Sequence, residues 1–334
     1  MITTMRVLLA ALVPALLLLP GSAWAALPGA QALLKAVGYS PDEIATIEGG
    51  SIVRRETRGA GARDLTVGYA FFVKATPASV NKQLSDGVLQ AIDPNSIATA
   101  TLTGESSVDA FATLKLKPDT AARVARYQSA RPGTRLNLSS AEIAAFNELA
   151  PGDTQAVERQ VRASLLERYR AYRARGLAGI VDYDRGEGQV RSPGDELTAV
   201  MMNTSQLQTL APKAWEAMLN YPAAKVAGTR EVFRWEHFKV NGVPTIALTH
   251  GLSVPSGDAF LVLQRQFYVS EGFNCEQALV ALVPVDGGTI VVFSTHTSTD
   301  EVEGFAGEIK RSIGRGIVAT QLEALFARLQ KKLK

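Results

Sequence analysis

Alternation of apolar and polar residues, typical of strands, flanks a long helical stretch in the middle of the chain. Before residue 118 it predicts two hairpins, with strands at 51–58, 64–73, 96–104 and 108–116. After residue 229 it predicts five strands, near 230–240, 244–253, 259–269, 276–285 and 289–298. The apolar period between these two groups is that of helices. The sequence therefore predicts an α+β fold: an antiparallel sheet gripping a long C-terminal helix, with a helical insertion between two groups of strands.

Helix signals place several of the predicted helices. Capping boxes at 40–43 and 139–142 predict helices that begin there. A third helix at 153–176 has an apolar stripe, and a closing helix is predicted from Thr299 onward. The same patterns divide the chain into a leader, strands with short helices, a helical segment and a meander with the closing helix, at 1–25, 26–118, 119–226 and 227–334. Residues 26–334 can also form one domain.

The first 25 residues predict a signal peptide. Arg6 precedes an apolar run over 7–19, and Ala23–Ala25 offers small residues for cleavage near Ala25. The expected product is soluble and exported, either periplasmic or secreted. An uncleaved membrane anchor is the alternative, although the run is shorter than the ~20 residues that span a bilayer comfortably. The net charge of +3 is too small to indicate a nucleic-acid partner.

Strand parity places several side chains on one face of the predicted meander. With Asn241–Gly242 as a two-residue turn, the facing pairs are Val240 with Val243, His237 with Ile246, Trp235 with Leu248, and Phe233 with His250. With Ser256–Gly257 as the next turn, they are Leu248 with Arg265, His250 with Leu263, and Ile246 with Phe267. This face is mainly apolar and the opposite face is mainly polar, so the first is expected to point inward.

Three basic side chains on an apolar face form the candidate site. Arg265 needs a partner there, because an unpaired charge in a dry core costs several kcal/mol. A glutamate of the closing helix, Glu301 or Glu308, water in a cavity, or the anionic end of a ligand could supply it. One interpretation is a packed core with hydrogen-bonded histidines. The other is a ligand cavity lined by Trp235, His237, Leu248, His250, Arg265 and Phe267.

Other chemistry is less well supported by the sequence. His237 or His250 could act as a general base in such a cavity. Zinc accepts the ligand types of the three histidines and of Cys275, the only cysteine, but the spacing offers no close pair, so neither a metal nor a cofactor is predicted. One face of the 153–176 helix could contact an anionic membrane through its arginines, Arg159, Arg162, Arg170 and Arg173. A noncatalytic envelope scaffold is the matching functional alternative.

The order of elements is similar to that of the helix-grip superfamily, which includes START-like lipid-transfer domains. The similarity rests on "SIVRRET", the "TPASVNKQL" helix and the closing "EIKRSIGRGIVATQLEALFARL" helix. It implies a curved sheet that grips the C-terminal helix over an apolar cavity. The chain departs from that family in having about a hundred residues of helical segment between its strand groups. The inward basic side chains and the glycines of the closing helix favour an exported protein that binds or carries an apolar, lipid-like molecule with a polar or anionic head.

Overall fold

The computed structural model of the protein describes residues 26–133, 136–302 and 307–333. The predicted signal peptide and its cleavage site near Ala25 lie outside these ranges. Within them, no helix combines the length and the apolar character needed to cross a membrane.

Eleven helices and ten strands are described and are numbered in chain order. The helices are α1 Ala30–Ala36, α2 Pro41–Glu48, α3 Pro77–Asp86, α4 Val88–Ile92, α5 Thr120–Gln128, α6 Ser140–Asn147, α7 Thr154–Arg175, α8 Pro193–Asn203, α9 Ser205–Leu210, α10 Pro212–Leu219 and α11 Gly307–Lys332. The strands are β1 Val53–Arg55, β2 Asp64–Val73, β3 Ser96–Leu102, β4 Tyr183–Gly186, β5 Gln189–Arg191, β6 Arg230–Val240, β7 Val243–Ser256, β8 Ala259–Val269, β9 Cys275–Val285 and β10 Gly288–Ser298.

Eight of these strands form one antiparallel sheet. Their order is β1-β2-β10-β9-β8-β7-β6-β3, while β4 and β5 form a separate hairpin inside the helical segment. Strands from both ends of the chain therefore belong to one sheet. The predicted fold class is confirmed, because α5 to α10 form a helical insertion between two groups of strands and the long α11 packs against the sheet.

Helices cover both faces of the sheet. The insertion face, defined by Trp235 and Leu263, packs against α1, α2, α5 to α8 and α10. The C-terminal-helix face, defined by Tyr69 and Phe293, packs against α3, α4 and α11. The mainly polar face of the predicted meander is therefore covered as well, and Glu236 on it is 8% exposed. The predicted site residues on the insertion face are separated from α11 by the sheet.

Local sequence signals predicted several elements correctly. Both capping boxes are present. In α2 the Ser40 hydroxyl accepts a hydrogen bond from the backbone amide of Glu43, and the Glu43 carboxylate accepts one from the backbone amide of Ser40. Such a cap stabilises a helix by about 1 kcal/mol. The helix α7 ends at Arg175, immediately before the predicted stop at Gly176.

The prediction of a second early hairpin is wrong. The strand β3 is present, but 108–116 forms a short 3-10 helix at Val108–Phe111 followed by irregular chain. Leu114 and Leu116 are fully buried in the core that contains α7, and the amide of Leu116 donates to the Glu158 carboxylate of that helix. A side chain of α7 thus accepts the backbone hydrogen bond that a neighbouring strand would have accepted in the predicted hairpin.

The closing helix is present but begins later than Thr299. A 3-10 turn at Asp300–Val302 follows β10, and the described part of α11 begins at Gly307. The Asp300 carboxylate lies 3.0 Å from Nε of Arg185 and 2.8 Å from Nε of Arg191. These ion pairs hold the chain in a turn at the point where the periodicity alone predicted a helix.

The β6–β7 register is confirmed at all four predicted pairs. Asn241 and Gly242 have φ values of 49° and 83°, the left-handed geometry of a type I′ turn. Val240 faces Val243 directly across it. The turn therefore determines the register of this hairpin.

The predicted β7–β8 register is wrong by two residues, because the turn lies at Gly257–Asp258 and not at Ser256–Gly257. The three pairs predicted across it are not formed: Leu248 with Arg265, His250 with Leu263, and Ile246 with Phe267. Arg265 instead faces His250. A shift of two residues preserves side-chain parity, so both residues remain on the insertion face. A bulge between Leu248 and Thr249 then changes the register toward the end of β8.

Candidate functional site

Arg265 on β8 is completely buried and is bound only by neutral oxygens. Its Nε and Nη2 donate to Oε1 of Gln277 at 3.0 and 2.8 Å. Nη2 also donates to the backbone oxygen of Met218 at 3.1 Å, and Nη1 donates to the Tyr172 hydroxyl at 3.0 Å. The guanidinium is therefore surrounded by dipoles, which leave much of its desolvation cost uncompensated.

The predicted glutamate partner of Arg265 is not found. Glu301 is exposed, and the side chain of Glu308 lies outside the described part of α11. The helix α11 also packs on the C-terminal-helix face, across the sheet from Arg265. The expectation of an Arg–Glu pair with Glu301 is wrong because the topology separates the two residues.

A line of polar groups connects Arg265 to the protein surface. The Tyr172 hydroxyl lies 2.9 Å from Nδ1 of His250, and Nε2 of His250 lies 3.3 Å from the Glu231 carboxylate, whose side chain is 35% exposed. Because a carboxylate only accepts, Nε2 carries the imidazole proton and Nδ1 accepts from Tyr172. Burial lowers the pKa of His250 to about 4, which keeps the ring neutral at physiological pH.

Aromatic rings close this region. Tyr172 stacks on Phe267 with a centroid distance of 4.0 Å, and His250 stacks on Phe233 at 4.3 Å. The indole Nε1 of Trp235 donates to a backbone oxygen, at 2.9 Å. Five predicted site residues thus lie in one packed region, the Arg265 cluster: Trp235, Leu248, His250, Arg265 and Phe267. A ligand could reach them only if the cluster opened, so their contact with a ligand stays a prediction.

The sixth predicted residue, His237, lies apart from the polar line. It is 2% exposed, and burial followed by the charge of Arg123 lowers the pKa of His237 to about 4. Its strand parity and its interaction with Arg123 place the ring on the insertion face, and its Nε2 forms no hydrogen bond. The two candidate bases therefore have different surroundings, because only His250 belongs to the polar line.

A cavity of about 490 Å³ lies elsewhere on the insertion face and is called the main cavity for its mixed apolar and polar lining, although a more open hollow at Gly29 and Ile290 has a volume of about 610 Å³. Side chains of α1, α9 and the strands β8, β9 and β10 provide most of the main cavity's surface. Its apolar lining includes Leu27, Leu33, Val37, Leu207, Leu210, Leu261, Leu279, Ala281 and Val292. None of the six predicted site residues lines it. Topology explains the difference, because this space is formed where α1 and α9, distant in the sequence, lie over β8, β9 and β10.

Most of the remaining residues of the main-cavity lining are polar, and one of them, His296, is bound to a buried carboxylate. Its Nδ1 lies 2.7 Å from Oδ2 of Asp64 across the β2–β10 pair, and both residues are buried. The charged residues of the lining are Arg55, Glu56 and Arg58. The cavity therefore combines a large apolar surface with two cations, one carboxylate and one oriented imidazole.

His296 and Asp64 were not among the predicted site residues. They are 232 positions apart and meet only because β10 pairs with β2. The sequence carries one weak signal, which is a histidine at an inward position of an otherwise apolar and hydroxylated strand. A hairpin argument cannot find their contact, since no turn connects the two strands.

The histidines and Cys275 are dispersed. Among the described residues, no group of three or more His, Cys, Asp and Glu side chains is placed to hold a metal ion. The Sγ atom of Cys275 lies 3.7 Å from the Glu196 carboxylate, and burial raises the pKa of the Cys275 thiol. That setting does not favour a reactive thiolate.

The four arginines proposed for membrane contact are divided between solvent and intramolecular contacts. Arg159 and Arg170 are exposed on α7. Arg162 donates to Glu158 and to the backbone oxygen of Leu114, and Arg173 lies over the Tyr169 ring at 5.9 Å. Two of the four are therefore largely engaged within the fold.

Comparison of the chain with protein-family models, with curated proteins and with solved structures found no match.

Proposed function

We propose that this protein is an exported binding protein for an apolar small molecule with a polar or anionic head, held in the main cavity. The observation that carries the proposal is a cavity of about 490 Å³ with a largely apolar lining and a polar part. Small-molecule sites generally have volumes of roughly 300–1,000 Å³ and place a few polar groups in a mostly apolar wall. The size and the chemistry of this space agree with that class.

The charged residues of the lining favour an acidic head group. Arg55 is positioned over the Tyr39 ring, with its Cζ atom 5.6 Å from the ring centroid, and donates to the Gly38 oxygen. Arg58 is exposed and lines the same cavity. Glu56 is the single carboxylate among the described residues of the cavity lining. Arginine binds carboxylates and phosphates through charge-assisted hydrogen bonds, which supports a ligand with an anionic end.

Export and the helix-grip architecture belong to the same proposal. The segment 1–25 supports export, because it has the composition of a signal peptide. The antiparallel sheet and long α11 agree with the element order of the helix-grip superfamily. The main cavity, however, lies on the sheet face opposite α11, whereas the resemblance implies a cavity beneath that helix.

Binding of dodecanoate and dodecanol, which differ in the head group, tests the proposal. We expect dodecanoate to bind, and to bind more weakly when Leu207→Trp fills the cavity. Arg58→Ala is expected to weaken dodecanoate binding by about tenfold and to leave dodecanol binding unchanged, because one charge-assisted bond is lost. Tyr172→Phe, which alters the Arg265 cluster, is the control and is expected to leave dodecanoate binding unchanged as long as the variant remains folded.

Two results would overturn the proposal. One is the absence of binding of either probe to wild-type protein from which bound lipid has been extracted. The other is binding that responds to Tyr172→Phe and not to Leu207→Trp. The second result would place the ligand at the Arg265 cluster instead.

A catalytic role for His296 is a second candidate, favoured by its contact with Asp64. A carboxylate at Nδ1 fixes the ring tautomer, so that Nε2 keeps its lone pair and can accept a proton from water or a hydroxyl. The proposed substrate is an ester of an apolar acid, because the ring borders an apolar cavity. His296→Gln is expected to reduce hydrolysis of p-nitrophenyl decanoate by about a hundredfold or more while decanoate still binds. Equal rates for both proteins would dismiss catalysis and leave the binding proposal intact.

A further inference from the structure

A second cavity, the acidic cavity, lies between the sheet, α4 and α11. Its volume is about 180 Å³. The residues Leu89, Phe238 and Leu325 give it apolar walls, and most of the remaining lining is polar. Because α11 and α4 pack on the C-terminal-helix face, this space is separated from the main cavity by the sheet.

The charged residues that line the acidic cavity are all acidic, and Arg234, outside the lining, interacts with Glu236. Asp93, Glu236 and Glu276 contribute carboxyl groups, and none of its lining residues is a lysine or an arginine. Glu236 is on β6 and Glu276 is on β9, so two strands lie between them, and their backbones are separated by three interstrand spacings of about 4.8 Å each. The two glutamates therefore approach the cavity from opposite sides.

Hydrogen-bond acceptors between the two glutamates are unsatisfied. Oε1 of Gln90 and Oε1 of Gln266 are buried atoms without a hydrogen-bond partner. The hydroxyl of Thr249, a residue only 5% exposed, interacts with the Glu236 carboxylate. Buried polar atoms are nearly always paired in folded proteins, so a group of orphans around one cavity indicates a missing donor.

Ionising either of the two glutamates in this cavity costs free energy, because both are buried. Burial raises the pKa of both Glu236 and Glu276, and each glutamate also has a neutral donor: Gln90 Nε2 at 2.9 Å from Glu236, and the Thr297 hydroxyl at 2.8 Å from Glu276. A cation in the cavity would offset the cost of ionising them. Ionisable groups with perturbed pKa values in a cleft are found disproportionately at functional sites.

We propose that the acidic cavity binds a small organic cation, an alkylamine or alkylguanidine. Its charged head donates to the Glu276 carboxylate and to the unsatisfied Oε1 of Gln266, and its alkyl part contacts the apolar walls. An ammonium or guanidinium group carries only donors, which matches a lining whose orphans are oxygens. A divalent metal fits less well, because the described residues hold no cluster of three or more His, Cys, Asp or Glu ligands.

Ligand-observed NMR with butylamine and with its neutral analogue 1-butanol tests the site. Wild-type protein is expected to bind butylamine and not 1-butanol. Glu276→Gln and Glu236→Gln are each expected to weaken butylamine binding by about tenfold, the loss of one charge-assisted contact. Glu105→Gln, at an exposed position away from the cavity, is the matched control and is expected to bind as wild type.

Measuring the Tm of each variant separates a loss of binding from a loss of folding. Removing a buried carboxylate charge is expected to raise the Tm at neutral pH, so weaker binding by a more stable variant cannot be attributed to misfolding. Equal binding of 1-butanol and butylamine, or butylamine binding unaffected by both glutamate substitutions, would overturn the proposal. Preference for Ca²⁺ over butylamine would also overturn it, since the site would then be a metal site.

Discussion

The Tyr172 hydroxyl joins Arg265 to His250, and its removal tests how the Arg265 cluster is held together. Tyr172→Phe keeps the ring that stacks on Phe267 but deletes the oxygen that accepts from Arg265 Nη1 at 3.0 Å. The same change leaves Nδ1 of His250 without its partner at 2.9 Å. A lost hydrogen bond to a buried charge costs roughly 1.5–3 kcal/mol and a neutral one about 1 kcal/mol. We therefore expect Tyr172→Phe to lower the free energy of unfolding by about 3 kcal/mol.

Urea denaturation followed by tryptophan fluorescence and circular dichroism measures this loss. The double-mutant cycle with Arg265→Met isolates the contact between the two residues, because methionine has no donor for the hydroxyl. In the Arg265→Met background, Tyr172→Phe is expected to cost about 1 kcal/mol, the value of the neutral bond alone.

Two results would refute the reasoning about Tyr172. A single-mutant cost below about 1 kcal/mol would mean that water reaches the guanidinium. An additive cycle would mean that the hydroxyl and the charge do not interact. Tyr127→Phe, which changes another buried tyrosine with no contact to Arg265, controls for general effects of removing a core hydroxyl.

Three further changes have expected outcomes elsewhere in the fold. Burial raises the pKa of Glu276 above its ordinary value of 4.5, so ionising this side chain destabilises the fold. The destabilisation is absent below about pH 4, where the carboxyl is protonated in both states, and grows as the pH rises. In calorimetry, Glu276→Gln is therefore expected to raise the Tm near pH 7 and to leave it unchanged near pH 4. Gly176→Ala places a Cβ atom 1.8 Å from the Tyr221 backbone oxygen at a φ of 57°, and we expect a loss of about 3 kcal/mol or more in urea denaturation. Asp64→Asn removes the carboxylate that holds His296 and is expected to cost about 2 kcal/mol in the same assay.

Local signals in the sequence were sufficient for elements that depend on neighbouring residues. The Asn241–Gly242 turn predicts the β6–β7 register because its backbone geometry determines which residues face each other. Capping boxes work for the same reason, since donor and acceptor are three residues apart. The parity of β8 also survived a wrong turn assignment, because the error was two residues and side chains repeat with a period of two.

Features that depend on distant parts of the chain were not accessible from the sequence. The neighbours of Arg265 come from α7, α10 and β9, and neutral oxygens cannot be recognised in a sequence as partners of a charge. The segment 108–116 alternates as a strand does, yet α7 supplies its backbone partner. The contact between His296 and Asp64 depends on the β2–β10 pair, whose strands begin more than 200 residues apart.

The place of β2 beside β10 also dictates when this chain can finish folding. As the chain is made from its N-terminus, β2 emerges early, and its ten residues must wait for the last strand before that edge is paired. Such non-local pairing makes folding slow and leaves apolar strand edges open to other chains in the meantime. A chain that stops before Gly288 has open edges on both β2 and β9, and is expected to aggregate or depend on chaperones rather than to persist as a smaller folded protein.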